Sequence, residues 1–362
     1  MSARLFLDAN AGEPLRPAAR EALVAALALA GNPSSVHAEG RAARRVLEEA
    51  RAGVARLAGV PAEGVVFTSG ATEANFLALD RLGRQASRRL LVSVAEHESL
   101  EAPDAERIAV GADGRLALDA LAAALRQGPA LVALHLAQNE TGVIQDLPPI
   151  AALVHAHGGL LHVDAAQAPG RIGFAMAALG ADSMTLSAHK AGGPKGAGAL
   201  VLRDGLALPP APHGGGQERR RRAGTEALPA IAGFAAALAD AASEEPSARR
   251  QTRDAIEAGL RGAATVVAAS SPRLPNTLCL ALPGAPAETQ VIALDLAGIA
   301  VSAGSACSSG KVSRSRVLAA MGFLHPDSAI RVSVPWNAPA DAAGRFIVAW
   351  QAMAERFSRR AA

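Results

Sequence analysis

A lysine and a cysteine are the two side chains of this sequence best suited to covalent chemistry. Lys190 lies in the stretch MTLSAHKAGGPKG, residues 184–196, where a short apolar run precedes a loop rich in glycine and proline. Open α/β sheets bind ligands at the carboxyl ends of their strands, so an amine fixed there could react with a carbonyl carbon. Only three of the 36 lysine and arginine residues are lysines, so Lys190 stands out. Most lysines in proteins are exposed, however, and Lys190 could also be an ordinary loop residue.

The cysteine is Cys307, which lies among small polar residues in SAGSACSSGK, close to Lys311 and Arg314. Nearby positive charge favours the thiolate, the nucleophilic form of cysteine. Cys279, in the apolar run TLCLAL, is instead typical of a buried and inert thiol. Two cysteines make no disulfide framework, and the sequence lacks the closely spaced Cys and His ligands of a zinc site, so we predict no metal.

Polar groups also follow several predicted strands. SGATE, residues 69–73, joins a strand to a helix whose first N–H groups could bind an anion, although Ser and Thr also suit a simple helix cap. Asp164 ends the strand of LLHVDAAQ, three residues before Gln167. A buried carboxylate needs a cation such as a protonated pyridine nitrogen, but this Asp could equally cap a helix.

Three more side chains have both a chemical and a structural interpretation. A ring at His97 could lie over a flat cofactor, and an amide at Asn139 could hold a carboxylate or phenolic oxygen, but both also suit polar turns. Arg331, inside the strand IRVSV, could bind a carboxylate with two N–H groups or point to solvent. The basic run 219–222 could bind phosphate or nucleic acid, but such runs are more often solvated.

The elements that must position these groups alternate along the chain. Alternating strands and helices predict a mostly parallel sheet covered by helices. We expect its strands at 65–68, 90–94, 107–110, 130–136, 160–163, 184–186 and 199–202. Later short strands at 277–282, 299–301 and 330–334, with a closing helix at 340–356, predict a smaller α+β domain. We therefore expect a large domain at 12–250 and a small domain at 251–362, with residues 1–11 folding back onto it.

Composition limits the classes of function. The chain has 362 residues, half of them hydrophobic, and no apolar run near the ~20 residues that span a bilayer. The N-terminus lacks a secretion signal, so we expect a cytoplasmic protein without a membrane partner. A net charge of +3 argues weakly against direct nucleic-acid binding, and the absence of tyrosine excludes a tyrosine base.

Taken in order, these motifs resemble the group I cysteine desulfurases, in the class V branch of pyridoxal 5'-phosphate (PLP) enzymes. The resemblance covers nearly the whole chain and is carried by GNPSSVH, VFTSGATEAN, NETGVIQD, HVDAAQAPG, SAHKAGGPKGAGAL, HGGGQE with RAGTE, and SAGSACSS. It implies the α/β fold of type I PLP-dependent transferases, a homodimer and PLP as the cofactor.

The resemblance also implies roles for single residues. Lys190 is the Schiff-base lysine, Cys307 the nucleophile, and His97 stacks on the cofactor ring and relays protons. Asp164 pairs with the pyridine nitrogen, and Arg331 binds the substrate carboxylate together with Asn139. The other implied cofactor contacts surround the ring hydroxyl and the phosphate: Ala71, Thr72, Asn139, Gln167, Ser187, His189 and, across a dimer interface, Thr225.

The implied reaction removes sulfur from L-cysteine and leaves L-alanine and a persulfide on Cys307. A sulfur-acceptor protein would then take the sulfur for iron–sulfur cluster assembly or for thio-cofactor or tRNA synthesis. A selenocysteine lyase or small-amino-acid aminotransferase of the same branch, or a weakly active sulfur-handling scaffold, remains the alternative.

The sequence departs from the family pattern at several positions. Gly12-Glu13 follows Asn10-Ala11 where Thr is usual, Ala188 replaces a usual Gly, and Gly193 replaces a larger ring. Two further departures lie around HGGGQE and RAGTE: Arg220 stands in place of Gly and Ala227 in place of Asn. A third is Val334-Pro-Trp-Asn337, after the Arg331 strand.

Overall fold

A computed structural model describes residues 4–304 and 314–361 of the chain. Its strands are β1 Leu5–Phe6, β2 Val65–Thr68, β3 Arg89–Ser93, β4 Glu106–Ile108, β5 Ala130–His135, β6 Leu160–Asp164, β7 Ser183–Ser187, β8 Gly198–Leu202, β9 Thr265–Val266, β10 Thr277–Ala281, β11 Ile299–Ala300, β12 Ser302–Ala303 and β13 Ala329–Ser333. Its α-helices are α1 Pro17–Leu27, α2 Ala38–Ala58, α3 Ala71–Ala78, α4 Leu118–Leu125, α5 Leu147–Ala156, α6 Met176–Leu179, α7 Leu228–Ala242, α8 Ser247–Gly259, α9 Ala287–Leu296, α10 Arg316–Ala320 and α11 Ala342–Ala361.

The main sheet has seven strands in the order β2-β8-β7-β6-β5-β3-β4. Strands β4, β3, β5, β6 and β7 pair in parallel, while β8 runs antiparallel to both of its neighbours. The predicted mostly parallel sheet covered by helices is thereby confirmed. Every residue of β5, β6 and β7 is buried, as expected for a sheet with helices on both faces.

Alternate residues of the strands enter different hydrophobic cores. Val65 and Phe67 of β2 join the core that also contains α2 and α7, whereas Val66 joins the core on the opposite face, which contains α3. This alternation follows from the two-residue period of a strand. It leaves the ends of the strands as the places where polar side chains can lie in the interior.

A second sheet has the order β12-β13-β10-β9 and is antiparallel throughout. The N-terminal segment lies beside it: β1 pairs in parallel with β11, and Asp8 forms a bridge with Ser333. Leu5, Leu7 and Trp350 share a separate hydrophobic core. The division at residue 250 stays a prediction, and α8 runs across it.

The chain departs from the prediction in two of its longer helices, and the short elements α6, β9, β12 and α10 were also not predicted. The helix expected at 71–82 ends as an α-helix at Ala78 and continues as the π-helical turn Leu79–Gly83. Helix α9 was not predicted, because its apolar residues do not form one stripe: Leu294 is buried while Leu296 is exposed.

Among residues 4–304 and 314–361, no helix is both long enough and apolar enough to cross a membrane.

Candidate cofactor-binding pocket

A cavity of about 530 Å³ opens where β2, β5, β6 and β7 end. These strands run in the same direction, so their carboxyl ends share one edge of the sheet. The cavity brings together most of the predicted site residues: Ala71, Thr72, His97, Asn139, Asp164, Gln167, Ser187, His189, Lys190 and Arg331. Thr225 is exposed and does not line it, and Cys307 lies outside the described residues.

Asp164 is the last residue of β6 and is buried at the floor of the pocket. Its Oδ1 accepts a hydrogen bond from the Ala166 N–H at 2.9 Å, and its Oδ2 accepts one from Asn75 Nδ2 at 2.7 Å. Both donors are neutral, and within the described part of the chain Asp164 forms no salt bridge. A buried carboxylate of this kind suits a cationic ligand group.

Lys190 ends the short 3₁₀ turn Ala188–Lys190, directly after β7. Its Nζ donates to the backbone carbonyls of Asn10 and Ala11, the latter at 3.1 Å. Gly192 and Gly196 adopt positive φ angles of 83° and 86°, which fold the following loop back over the turn. The amine is therefore held in the pocket by oxygen acceptors from the N-terminal segment.

Several anion-binding groups meet at another side of the pocket. Helix α3 begins at Ala71, so its first N–H groups have no acceptor within the helix. Ser187 Oγ lies 3.0 Å from His189 Nδ1, and Lys195 also lines the cavity. Burial, assisted by the two nearby lysines, lowers the pKa of His189 to about 4, so its ring is neutral at pH 7. Hydroxyl, N–H and ammonium donors together suit a phosphate.

Arg331 lies opposite these groups, on β13 of the smaller sheet. Its side chain is 2% exposed, Nη2 lies 2.6 Å from Asp8 Oδ1, and Nη1 lies 3.5 Å from the Asn139 carbonyl. The side chain of Asn139 accepts a hydrogen bond from Gln138. An incoming carboxylate would therefore meet a guanidinium that is already paired with Asp8.

Comparisons with known proteins show which family the chain belongs to. Residues 5–342 match the family model described as "Aminotransferase class-V". This chain belongs to that family. It is 41% identical over 358 residues to a cysteine desulfurase of Cereibacter sphaeroides, covering 93% of this chain and 92% of that protein. The predicted resemblance to the class V cysteine desulfurases is thereby confirmed.

Solved structures of similar proteins have the same fold. A NifS-like protein from Rickettsia africae superposes with a TM-score of 0.89 at 31% identity, covering 97% of this chain and 99% of that one. A structure entitled "SspA in complex with cysteine" superposes with a TM-score of 0.81 at 26% identity, covering 91% of this chain and 99% of that one. Members of the class-V aminotransferase family and its cysteine desulfurases are PLP-dependent enzymes.

The side chains present fit the cofactor of this class-V family. PLP carries a pyridine nitrogen, a ring hydroxyl, an aldehyde and a phosphate. The pocket offers a group suited to each: the Asp164 carboxylate, the Gln167 amide, the Lys190 amine, and the donors around His189. The described residues contain no group of three or more His, Cys, Asp or Glu side chains that could hold a metal ion.

Two departures from the family pattern prove to be neighbours in space. Glu13 is buried and accepts hydrogen bonds from Arg171 at 3.1 Å and from the backbone N–H of Trp336 at 3.2 Å. Trp336 Nε1 donates to the Pro14 carbonyl at 2.8 Å, and the guanidinium of Arg16 lies 5.0 Å from the Trp336 ring centre. The unusual residues near both ends of the chain therefore support one another.

A second pair of departures shares one space. A Cβ atom added at Gly193 would lie 3.2 Å from the Ala188 Cβ and 3.0 Å from the Ala188 carbonyl oxygen. The methyl group of Ala188 thus occupies room that a larger residue at position 193 needs. Relative to the family pattern, the chain lacks a large side chain at position 193 and has an added methyl group at position 188. Both changes lie next to the predicted Schiff-base lysine.

Sequence reasoning missed several polar residues of the site. Asn75 contacts Asp164, Ser99 contacts His97, and Asn10 accepts from Lys190. His135 also lines the pocket: burial lowers its pKa, but the contact with Glu96 at 2.9 Å outweighs this and raises it. Asn75 lies inside the motif VFTSGATEAN and could have been considered there, whereas the contact of Asn10 with Lys190 is made by a backbone carbonyl, which no side-chain pattern indicates.

Proposed function

We propose that this chain is a cysteine desulfurase, which takes the sulfur of L-cysteine, releases L-alanine and passes the sulfur to an acceptor through Cys307. The observation that carries the proposal is the convergence of Lys190, Asp164 and Arg331 on one pocket. The first two suit PLP and the third suits an amino-acid carboxylate. The 41% identity to a cysteine desulfurase supports the same conclusion.

When bound, PLP would supply an electron sink for the bonds at the substrate α-carbon. Asp164 would hold the ring nitrogen in its protonated form, and Gln167 would bind the ring hydroxyl. Thr72, Ser187 and His189 would hold the phosphate. His97 would cover the ring and exclude water from it.

The substrate end of the pocket works through charge and proton transfer. Arg331 would bind the carboxylate of L-cysteine with two N–H groups, displacing part of its contact with Asp8. Lys190 Nζ would accept the α-proton, and the Asn10 and Ala11 carbonyls that it contacts would stabilise the resulting ammonium group.

The transfer of sulfur from the substrate to Cys307 needs no added oxidant. The Cys307 thiolate attacks the substrate sulfur, an S–S bond forms as the substrate C–S bond breaks, and the carbon takes up the electron pair and a proton to give alanine. Arg314 lies seven positions after Cys307, a span of at most about 25 Å for an extended chain. Residues 314–317 line a cavity of about 220 Å³ that shares His97, Gln138 and Asn139 with the larger pocket.

The proposal also includes the partners expected from the sequence. Thr225 is exposed in a single chain, which suits its assignment to the phosphate site of a second copy in a homodimer. A thiol that must stay reduced suits the cytoplasm. The sulfur acceptor would be a scaffold or carrier protein for iron–sulfur clusters, thio-cofactors or thiolated tRNA.

The test measures the products formed by the PLP-loaded protein. We expect alanine and, with a thiol reductant, an equal amount of sulfide from L-cysteine, and no transfer of the amino group to a keto acid. The Cys307→Ala variant should keep the visible absorbance of the bound cofactor but form no persulfide. Full sulfide release by Cys307→Ala, or amino-group transfer without alanine, would contradict the proposal, and faster turnover of selenocysteine would favour a lyase.

A further inference from the structure

Asn75 is a fully buried side chain of α3 to which the proposed reaction gives no task. Its amide nitrogen donates to Asp164 Oδ2 at 2.7 Å and to Ser99 Oγ at 2.8 Å. Its amide oxygen lies 3.0 Å from His162 Nε2. Both amide hydrogens and the oxygen are therefore used, each by a different partner.

Asn75 determines the direction of the hydrogen bond between the Ser99 hydroxyl and His97. An amide nitrogen can only donate, so Ser99 Oγ accepts from it and has its own hydrogen available for His97 Nδ1, at 2.9 Å. The backbone N–H of Ser99 donates to the same Nδ1 at 3.0 Å. With Nδ1 accepting, the hydrogen of the neutral His97 ring must be on Nε2.

Asn75 also determines the direction of the hydrogen bonds made by His162. Because Asn75 Oδ1 accepts, His162 must donate from Nε2, and its Nδ1 then accepts from the Ser183 hydroxyl at 2.8 Å. Burial lowers the pKa of His162 to about 4, so this ring is neutral at pH 7. A neutral His162 and a neutral amide leave the charge of Asp164 available to a ligand.

We propose that Asn75 is a positioning residue that acts on both polar contacts of the cofactor ring: it orients the Asp164 carboxylate directly, and by directing the Ser99 hydroxyl hydrogen to His97 Nδ1 it adds a second donor to the backbone N–H that keeps the ring hydrogen on Nε2. This inference rests on the proposed function, since it takes PLP to contact both Asp164 and His97. A purely structural role for Asn75 would leave the hydrogen bond from the Ser99 hydroxyl to His97 Nδ1 unchanged.

The first experiment separates the two arms of this arrangement. Asn75→Ala should weaken PLP binding about tenfold, because a hydrogen bond to a charged group is lost. In the PLP-free variant, ¹⁵N NMR should show the His97 Nδ1 resonance displaced toward that of a nitrogen with fewer donors, while the hydrogen stays on Nε2 because the Ser99 backbone N–H remains; His97→Gln assigns the signal. Ser99→Ala should displace this resonance further, with PLP affinity closer to the wild type than that of Asn75→Ala, and Ser99→Thr should restore the wild-type resonance. An unchanged His97 Nδ1 resonance in both Asn75→Ala and Ser99→Ala would overturn the inference.

A second experiment keeps the test valid if Asn75→Ala does not fold. The exchange Asn75→Asp with Asp164→Asn restores an amide-to-carboxylate hydrogen bond but moves the charge away from the ring nitrogen. We expect the double variant to unfold within a few degrees of the wild-type temperature while PLP binding stays at least tenfold weaker. Full recovery of PLP affinity would show that packing alone matters.

The wild-type protein separates the inference from the function on which it rests. If the wild type binds PLP and forms alanine from L-cysteine while Asn75→Ala matches it in PLP affinity and in the His97 Nδ1 resonance, only the inference fails. A wild type that binds no PLP would overturn both.

Discussion

The two sides of the pocket hold their polar groups in different ways. On the side formed by the seven-stranded sheet, Asp164 is held by neutral donors and His189 by a hydroxyl. On the side formed by the smaller sheet, Arg331 is paired with the opposite charge of Asp8. The first side is prepared for a ligand that stays bound, because no charged contact must break. The second suits a substrate that exchanges in every turnover, because Asp8 can replace the departing carboxylate.

The largest effect is expected at Lys190, on the cofactor side. Lys190→Ala should lower alanine formation at least about a thousandfold, since no amine remains to bind the cofactor covalently or accept the α-proton. The protein should stay folded, because the Nζ hydrogen bonds to the Asn10 and Ala11 carbonyls lie in an open pocket, where water can replace the amine. The measurement is the visible absorbance after borohydride treatment; an intact covalent adduct would transfer the role to Lys195 or Lys311.

Arg331 and Asp8 test the substrate side. Arg331→Lys should raise the KM for L-cysteine about a hundredfold with little change in PLP affinity, because the two-point contact with the carboxylate is lost. Asp8→Asn should lower KM a few-fold, because it removes the competing charge. Steady-state kinetics and PLP titration measure both, and a rise in KM for Asp8→Asn would mean that Asp8 positions Arg331 and does not compete with the substrate.

His189 should make the PLP-free protein sensitive to acid. Its folded pKa of about 4 lies below the usual 6.5, so the unfolded chain takes up a proton first and stability falls as the pH drops from about 6.5 to 4. His189→Gln should remove roughly 2 kcal/mol of this loss, allowing for the partial exposure of the ring. Urea unfolding at pH 6.5 and 4.5 measures this loss of unfolding free energy, with exposed His213→Gln as the matched control. If His189→Gln loses as much stability between the two pH values as the wild type, His189 is not the group responsible.

The smallest expected effect is a change in stability, and it concerns the turn before Thr225, outside both sides of the pocket. Glu218, Arg219 and Arg220 all have positive φ angles, of 46°, 56° and 67°. Glu218 secures this turn, since its buried carboxylate accepts from Arg51 at 2.7 and 2.8 Å. Arg220→Gly should stabilise the protein by roughly 1 kcal/mol, because glycine adopts this backbone without a Cβ clash. Thermal unfolding measures it, with exposed Arg250→Gly on α8 as a control that should destabilise.

The positions of the main-sheet strands along the chain and the residues at their ends could be predicted from the sequence, because both follow from local patterns, whereas the spatial order of the strands was not predicted. Val65–Thr68 was predicted to the residue, and the strands that end at Asp164 and Ser187 were predicted within one residue. The contact between Glu13 and Trp336 could not be predicted, since 323 positions separate them. Asn75 was missed for a related reason: its task appears only when α3, β6 and Ser99 are brought together.

The central claim is that Cys307, and not the other thiol, receives the substrate sulfur. The two cysteines provide an internal control, since burial raises the pKa of Cys279 and keeps it protonated and inert. The most direct test treats the PLP-loaded enzyme with one equivalent of L-cysteine, alkylates it and maps the added sulfur by mass spectrometry. We predict one added sulfur atom on the peptide containing Cys307, none on that containing Cys279, and one alanine per sulfur. Alanine formed without sulfur on Cys307, or with the sulfur on Cys279, would contradict the account.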